Sequence, residues 1–444
     1  MNTSRALFKA SSISKAASIL DNPLAGGVSR SFKVLTIGAG TGGISVTATL
    51  ANKLGKGEVG VIEPSQEHYQ QPLWTLVGAG IKPFSSSVRK MSDIIPERAT
   101  WIKSGAVSVD PEAKRVTLAN GETVSYEYLV IASGLENNLD QISGLPQALG
   151  KDGVCSNYDP NSVLLTPKFL NEFKGGEALF TMPASPIKCP GAPQKIAYLA
   201  EEKFRDNGVR DNSNVSYYSG IGKIFGIEKY ANSLWEVANK RNINVNLLHD
   251  LVAIDGAKKE ASFKVLDGSN EIVKKKYDFI HVTPKMSPHQ YLRSSGKKLA
   301  NDAGYVTVDS QTMQHVVYNN IYAIGDCSSA PTSKTAAAAV VEAFVVKSNL
   351  YDRILGRKNS SQLTYNGYTS CPLFTSKNST IMAEFSGYTG SPIESLFYNQ
   401  AKESKLSYWI VADLVPEIYW KLHVKGLWNG PSEFKPLTNP FNNN

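Results

Sequence analysis

The chain has 444 residues, 42% of them hydrophobic and 19% charged, with a net charge of +8. That length supports two or three domains with a sizeable core, and no run of about 18 uncharged apolar residues marks a membrane span. The four cysteines, Cys155, Cys189, Cys327 and Cys371, lie too far apart for Cys-x-x-Cys metal spacing or a small disulfide framework, and no basic-aromatic interleaving points to nucleic acid.

Residues 1–20 are basic, rich in Ser and Ala, and free of acid before Asp21. Ala6, Leu7, Ala10, Ile13, Ala17 and Leu20 can share one helical face, which matches a mitochondrial transit peptide over residues 1–30. A disordered basic N-terminus is the plainer alternative. Residues 32–37 then read as a strand, Gly38-Ala39-Gly40-Thr41-Gly42-Gly43 as a turn, 44–53 as a helix, and 59–62 as a strand ending at Glu63. In such a βαβ unit Gly38 permits the tight turn. Gly40 lets the backbone approach a pyrophosphate, and Gly43 lets the helix pack close to the strand. The helix N-terminus favours the phosphates. Glu63 can bind both ribose hydroxyls and disfavours a 2′-phosphate. Strands follow over 101–109 and 115–118, about a turn at Asp110-Pro111. Asn120-Gly121 marks a hairpin before 122–124, and 128–132 is a buried strand closing on Ser133-Gly134.

A second strand-loop-helix unit begins at 178–182, with a helix over about 193–204. No glycine fingerprint stands there; Pro186-Ile187-Lys188-Cys189-Pro190-Gly191 does. A cysteine thus occupies the place where a pyridine nucleotide would be held, and electrons would enter through sulfur. Cys189, just ahead of a helix N-terminus and near Lys188 and Lys195, is placed to be a thiolate, and Pro190 suits the first helical turn. A buried inert cysteine is the alternative. The strand at 215–219 precedes Gly220-Ile221-Gly222, which lacks the third glycine and the acid of a nucleotide site. Strands at 244–248, 262–265 and 279–282 complete the second domain. Those at 306–308 and 321–324 return to the first.

Ile324-Gly325-Asp326 ends a strand, and a helix runs from near Lys334-Thr335-Ala336 to 350. Its N-terminus can face the flavin N1–C2=O edge, with Asp326 on the ribityl chain. Alone this reads equally well as a plain strand-turn capped by Asp; with the N-terminal fingerprint and Ala132-Ser133-Gly134 it reads as an FAD site. Cys155 and Cys327 read as spectators. His281 and His289 flank a strand exit, where they could move protons or simply pack. After Lys358 the composition shifts to aromatics, Ser and Asn. Cys371, in a Thr-Ser-Cys-Pro turn, would by itself be structural. Over 408–428, Asp413, Glu417, Lys421 and Lys425 recur every four residues and leave the rest apolar, with Pro416 starting a second helix or kinking the first. Such a segment lies on a membrane interface or packs in a core. Residues 431–444 look frayed.

These motifs resemble the two-dinucleotide-binding-domain flavoproteins and, within them, the mitochondrial sulfide:quinone oxidoreductases. The matching stretches are 186–195 (PIKCPGAPQK), 224–230 (IFGIEKY), 281–288 (HVTPKMSP), 322–338 (YAIGDCSSAPTSKTAAA) and 367–373 (GYTSCPL). The resemblance implies an α/β fold of two Rossmann-like dinucleotide-binding domains plus a C-terminal membrane-associating helical region. Residues 31–160 and 291–365 would bind FAD and 161–290 would form the second domain. Residues 366–444 would carry the second redox cysteine and the anchor. It implies FAD on Gly38, Gly40, Gly43, Glu63, Ser133, Gly134, Asp326, Lys334 and Thr335, with no metal. It further implies a Cys189–Cys371 disulfide opened by hydrogen sulfide as hydrosulfide. Cys371 would keep the sulfur as a persulfide, while Cys189 leaves as a thiolate and donates to flavin C4a. The sulfur would pass to glutathione, sulfite or a second sulfide. Two electrons would pass to ubiquinone at the matrix side of the inner membrane. An NADH:quinone oxidoreductase of the same fold and a non-catalytic, membrane-associated redox sensor that retains FAD remain as alternatives.

Overall fold

The computed structural model describes residues 28–357 and 362–431. The leader expected over 1–30 lies outside them except for its last three residues, and so does the terminal tail beyond Pro431. Strand Val28–Ile37 is central to the first sheet. It runs parallel to Val59–Ile62 on one side and to Thr123–Ile131 on the other, and Thr100–Ile102 extends the sheet beyond Val59–Ile62. The far edge of Thr123–Ile131 is shared. Ile321–Ala323 lies parallel to its last residues, and Arg115–Leu118 lies antiparallel to its first, followed by Ala106–Asp110. Val34, Leu35, Val59, Val61, Leu129 and Val130 are wholly buried, as expected for near-continuous apolar strands covered on both faces.

Three expectations need correction here. The strand expected over 101–109 breaks at Ser104-Gly105 into two, because Thr100–Ile102 pairs with Val59–Ile62 while Ala106–Asp110 turns to meet Arg115–Leu118. The pieces expected at 122–124 and 128–132 form one strand, Thr123–Ile131. Residues 306–308 form no strand. Val306 and Val308 make only single bridges, to Ala300, Ser328 and His315, so no ladder can propagate.

The second sheet is parallel, in the order Val154–Cys155, Phe279–His281, Gly176–Met182, Ser213–Ser219, Ile243–Leu247. Helix Ala192–Asp206 follows Gly176–Met182 and packs on both that strand and its neighbour. A strap of Leu135–Asn138 paired antiparallel with Lys285–Pro288 joins the two halves. The hairpin Tyr368–Ser376/Ser379–Ser386 packs on both helix Ala192–Asp206 and helix Ala336–Ile354. It thereby spans the two sheets. The C-terminal segment is one helical run. Lys405–Trp409 passes through a widened turn, Ile410–Leu414, into Val415–Lys421. Pro416 stands in the first turn of Val415–Lys421, as expected for a second helix start, where its ring and missing donor are tolerated directly after the wide turn. Among the described residues no helix is long and apolar enough to cross a membrane.

The first sheet delivers its C-terminal strand ends to one crevice: Ile37 into Gly38, Ile131 into Ala132-Ser133, and Ala323 into Ile324-Gly325. Closure at that crevice depends on Gly43, where a Cβ would lie 2.0 Å from the Gly38 carbonyl oxygen. A backbone contact of that kind cannot be relieved by a side-chain rotation. Gly43→Ala should therefore cost about 1–3 kcal/mol or more of stability. A lowered Tm, with weakened nucleotide retention, would show it in a thermal melt; an unchanged melt would refute this packing.

Candidate active site

A cavity of about 610 Å³ opens at that crevice and reaches the Cys189 loop, the start of helix Ala192–Asp206, the 368–386 hairpin and the C-terminal helix. Its first wall is the glycine turn. Gly38 is left-handed, with φ +93°, and a Cβ there would meet the Ala132 carbonyl oxygen at 2.5 Å. At Gly40 nothing lies within 4 Å of where a Cβ would be, so the backbone there faces open space. The Glu63 carboxylate accepts from the amides of Ala39 and Ser65, each at 2.8 Å, which aims it along the turn. Burial raises its pKa, and the two amides pull it back in part.

The remaining expected cofactor residues meet on the same cavity. Ser133 is fixed at the wall by two bonds: its Oγ accepts from the Tyr291 hydroxyl and its carbonyl accepts from His289. Gly134, at φ +68°, turns the chain away. Asp326 lies in the single turn Gly325–Cys327. Burial raises its pKa, against the pull of Lys334 and Lys188. The Lys334 ammonium donates to the Ser328 and Ala330 carbonyls. Thr335 is the N-cap of helix Ala336–Ile354, its Oγ1 accepting from the Ala338 amide. A tight glycine turn with clearance above Gly40, a carboxylate aimed past it and a capped helix N-terminus across the cavity together fit a dinucleotide such as FAD. Several wall residues also carry unpaired polar atoms: Gln70 Oε1, Trp74 Nε1, Asn137 Oδ1, both side-chain amide atoms of Asn157 and His423 Nδ1 are buried without a hydrogen bond.

Cys189 and Cys371 meet in this cavity's region although 182 positions separate them in sequence. Neither is in a disulfide, and the two sulfurs lie close enough to share one hydrogen bond. Cys371 is buried on the hairpin strand Tyr368–Ser376, and Cys189 is half-buried. Gly191 permits the approach, since a Cβ there would lie 2.4 Å from Cys371 Sγ. Cys189 takes left-handed backbone, φ +48°, uncommon for a residue with a Cβ. Its amide donates to the Lys334 carbonyl at 2.6 Å, and its own carbonyl accepts from the Tyr158 hydroxyl at 3.3 Å. Helix Ala192–Asp206 begins three residues later, so Pro193, and not Pro190, sits in its first turn. Pro190 instead lies in the link that carries the strained cysteine.

The charge of the pair is settled by its neighbours. The Cys371 hydrogen bond lowers the Cys189 pKa, burial opposes it, and Lys195 lowers it further, with Nζ 3.4 Å from Cys189 Sγ. The same sulfur-sulfur hydrogen bond, followed by burial, drives the Cys371 pKa up. One proton thus stays on Cys371 and the thiolate sits on Cys189. Burial works against the Lys195 charge, but the two cysteines more than restore it. Cys155 and Cys327 lie outside this arrangement. Burial pushes their thiols up to about 12 and about 11, and each packs against strand carbonyls. His281 is buried with Nε2 accepting from the Asn157 amide, and burial holds it neutral, with a pKa near 3. His289 bonds the Ser133 carbonyl.

Sequence reasoning missed the residues that seat the C-terminal helix. His68 Nδ1 donates to the Ala39 carbonyl at 2.9 Å, and its Nε2 accepts from the Tyr419 hydroxyl at 2.7 Å. His423 donates to the Thr41 carbonyl, while Thr49 and Lys347 both donate to the Gly426 carbonyl. Burial keeps both histidines neutral, with pKa values near 4. A lone histidine and a tyrosine 351 positions apart carry no local signal. Val411, Val415 and Ile418 of the same helix face the cavity opposite Pro372, Phe374 and Met382 and form its apolar end.

Lys195→Gln removes the cation from the thiolate. Alkylation of the reduced protein by iodoacetamide, followed against pH, should then move its midpoint upward by about one to two units. A midpoint that stays in place would show that Lys195 does not set the thiolate.

Residues 32–166 match the family model described as pyridine nucleotide-disulphide oxidoreductase. A mitochondrial sulfide:quinone oxidoreductase of Mus musculus is 40% identical over 407 residues, 91% of this chain and 89% of that one. One from Dictyostelium discoideum is 41% identical over 412 residues, 92% of this chain and 89% of that one. The solved sulfide:quinone oxidoreductase of Aquifex aeolicus shares the fold, with a TM-score of 0.76 at 20% identity over 91% of this chain and 94% of that one. The chain belongs to the mitochondrial sulfide:quinone oxidoreductase family.

Proposed function

We propose that the protein is an FAD-dependent sulfide:quinone oxidoreductase that works at the matrix face of the mitochondrial inner membrane. The observation that carries this reading is the meeting of Cys371 with Cys189, which with Lys195 at 3.4 Å lines a cavity running from a dinucleotide turn to an apolar end. In the oxidised enzyme the two sulfurs are joined. Hydrosulfide attacks Cys371, forming a new sulfur–sulfur bond as the Cys189–Cys371 bond breaks. Cys371 then holds a persulfide, and Cys189 leaves as the thiolate that Lys195 stabilises. The bound FAD supplies a two-electron acceptor for that thiolate and a donor for ubiquinone. Glutathione, sulfite or a second sulfide removes the outer sulfur from Cys371.

The cofactor would be held by the Gly38–Gly40 turn at the pyrophosphate, with Gly43 packing the helix against that turn, by Glu63 at the ribose, and by Ser133, Gly134, Asp326, Lys334 and Thr335 around the ring and ribityl chain. Ubiquinone enters at the apolar end, between Val411, Val415 and Ile418 and the Pro372–Phe374 wall. The division of the chain that goes with this reading is a leader over 1–30, an FAD domain from 31–160 and 291–365, a second domain over 161–290, and a C-terminal region from 366. NADH has no seat in the second domain. Gly220 serves packing instead, since a Cβ there would lie 2.3 Å from the Ala184 amide nitrogen.

Anaerobic sulfide should bleach the flavin of the purified protein. Cys189→Ser and Cys371→Ser should each slow that bleaching at least about a thousandfold while keeping the flavin bound. Sulfide reduction that persists in both variants would remove the cysteine mechanism. NADH at micromolar concentration should leave the flavin spectrum unchanged, and rapid bleaching by NADH would favour an NADH:quinone enzyme.

A further inference from the structure

Thirteen large apolar side chains are exposed on the described surface, and seven of them fall between residues 397 and 427. Leu406, Trp409, Leu414 and Val415 lie along the C-terminal helical run, away from its buried side of Ser407, Ala412, Pro416 and Tyr419, and Leu422 and Leu427 follow directly after it. Phe397, 72% exposed, joins them from the preceding loop. Such a density of exposed apolar groups marks a docking surface.

The charges around it are one-sided. Each carboxylate of the segment is answered by a base: Asp413 by Lys82, Glu417 by Lys421 at 2.7 Å, and Glu403 by Arg241 at 3.3 Å. Lys402, Lys405 and Lys425 are exposed and have no carboxylate within ion-pair distance among the described residues. Three uncompensated cations among apolar side chains complement an anionic interface better than a neutral one.

We propose that this face docks on a bilayer carrying anionic phospholipid, with the apolar side chains entering the interface and Lys402, Lys405 and Lys425 meeting headgroup phosphates. The proposal rests on the membrane-surface reading above and adds the charge of the lipid it selects. The shallow entry of single side chains leaves the helix lying on the surface, with the apolar end of the cavity close to the acyl region.

Flotation of the full-length, flavin-loaded protein with two kinds of vesicle tests this. One kind is phosphatidylcholine alone; the other contains about 30% phosphatidylglycerol. Each interfacial lysine is worth about fivefold in binding, so the anionic vesicles should bind roughly a hundredfold tighter at low salt, and the preference should collapse in half-molar salt. The triple variant Lys402→Glu/Lys405→Glu/Lys425→Glu should lose the preference, while Trp409→Ser should weaken binding to both kinds. Equal binding to the two vesicles would overturn the proposal. So would self-association, seen by sedimentation, that Trp409→Ser abolishes in a protein that binds neither vesicle. Sulfide-driven reduction of a water-soluble short-chain quinone, measured without vesicles, separates the two readings. If it is absent, the enzyme reading fails; if it is present in wild type and triple variant but lipid preference is missing, only the docking proposal fails.

Discussion

The arrangement depends on one contact, the approach of Cys189 Sγ to Cys371 Sγ. Neither sulfur is placed by its own strand alone. Cys189 sits in left-handed backbone between the second sheet and helix Ala192–Asp206, held by the Lys334 carbonyl and the Tyr158 hydroxyl. Cys371 comes from a hairpin that packs on helices of both halves. Any shift of the hairpin against the first helix would therefore change the sulfur contact directly. The absence of a side chain at Gly191 leaves space that a single methyl would take.

Electrostatics follow from that contact. Two buried sulfurs sharing one hydrogen bond cannot behave alike: that bond lowers the Cys189 pKa and raises the Cys371 pKa, and Lys195, 3.4 Å from Cys189 Sγ, adds to the first shift. The asymmetry suits sulfur exchange, which needs one good leaving thiolate and one sulfur that keeps what it receives. Glu384, buried and paired opposite Ser370, steadies the hairpin. Its carboxylate accepts from Tyr368, the Ser395 amide and hydroxyl, and Gln400. A buried carboxylate with that many donors holds the strand in one register.

Much of the first sheet was legible because its signals are local. The run 32–37, the glycines after it and Glu63 twenty residues beyond Gly43 follow one another within a single βαβ unit. The missing second fingerprint was equally readable, as Pro186 to Gly191 stand in its place. Strand breaks were less so, since Ser104-Gly105 divides a run that alternation alone would join, and only the partner strands decide it. The pairing of the cysteines came from family resemblance, because no spacing rule brings position 371 to 189. The Tyr419–His68–Ala39 chain was invisible for the same reason: its partners are set by tertiary packing across hundreds of residues. Asn157 and Trp74 were invisible because only the fold brings their unpaired polar atoms to the cavity wall.

The Tyr419–His68–Ala39 chain ties two distant tasks together. Tyr419 and His423 belong to the segment whose outer side is apolar, yet His423 donates to the Thr41 carbonyl and Tyr419 reaches the Ala39 carbonyl through His68, inside the glycine turn itself. On the proposed reading, releasing the dinucleotide means loosening the same rungs that keep the amphipathic segment seated. Prosthetic-group turnover and desorption from the lipid surface would then share a kinetic barrier, and a molecule that has lost one partner would be poorly fitted to keep the other.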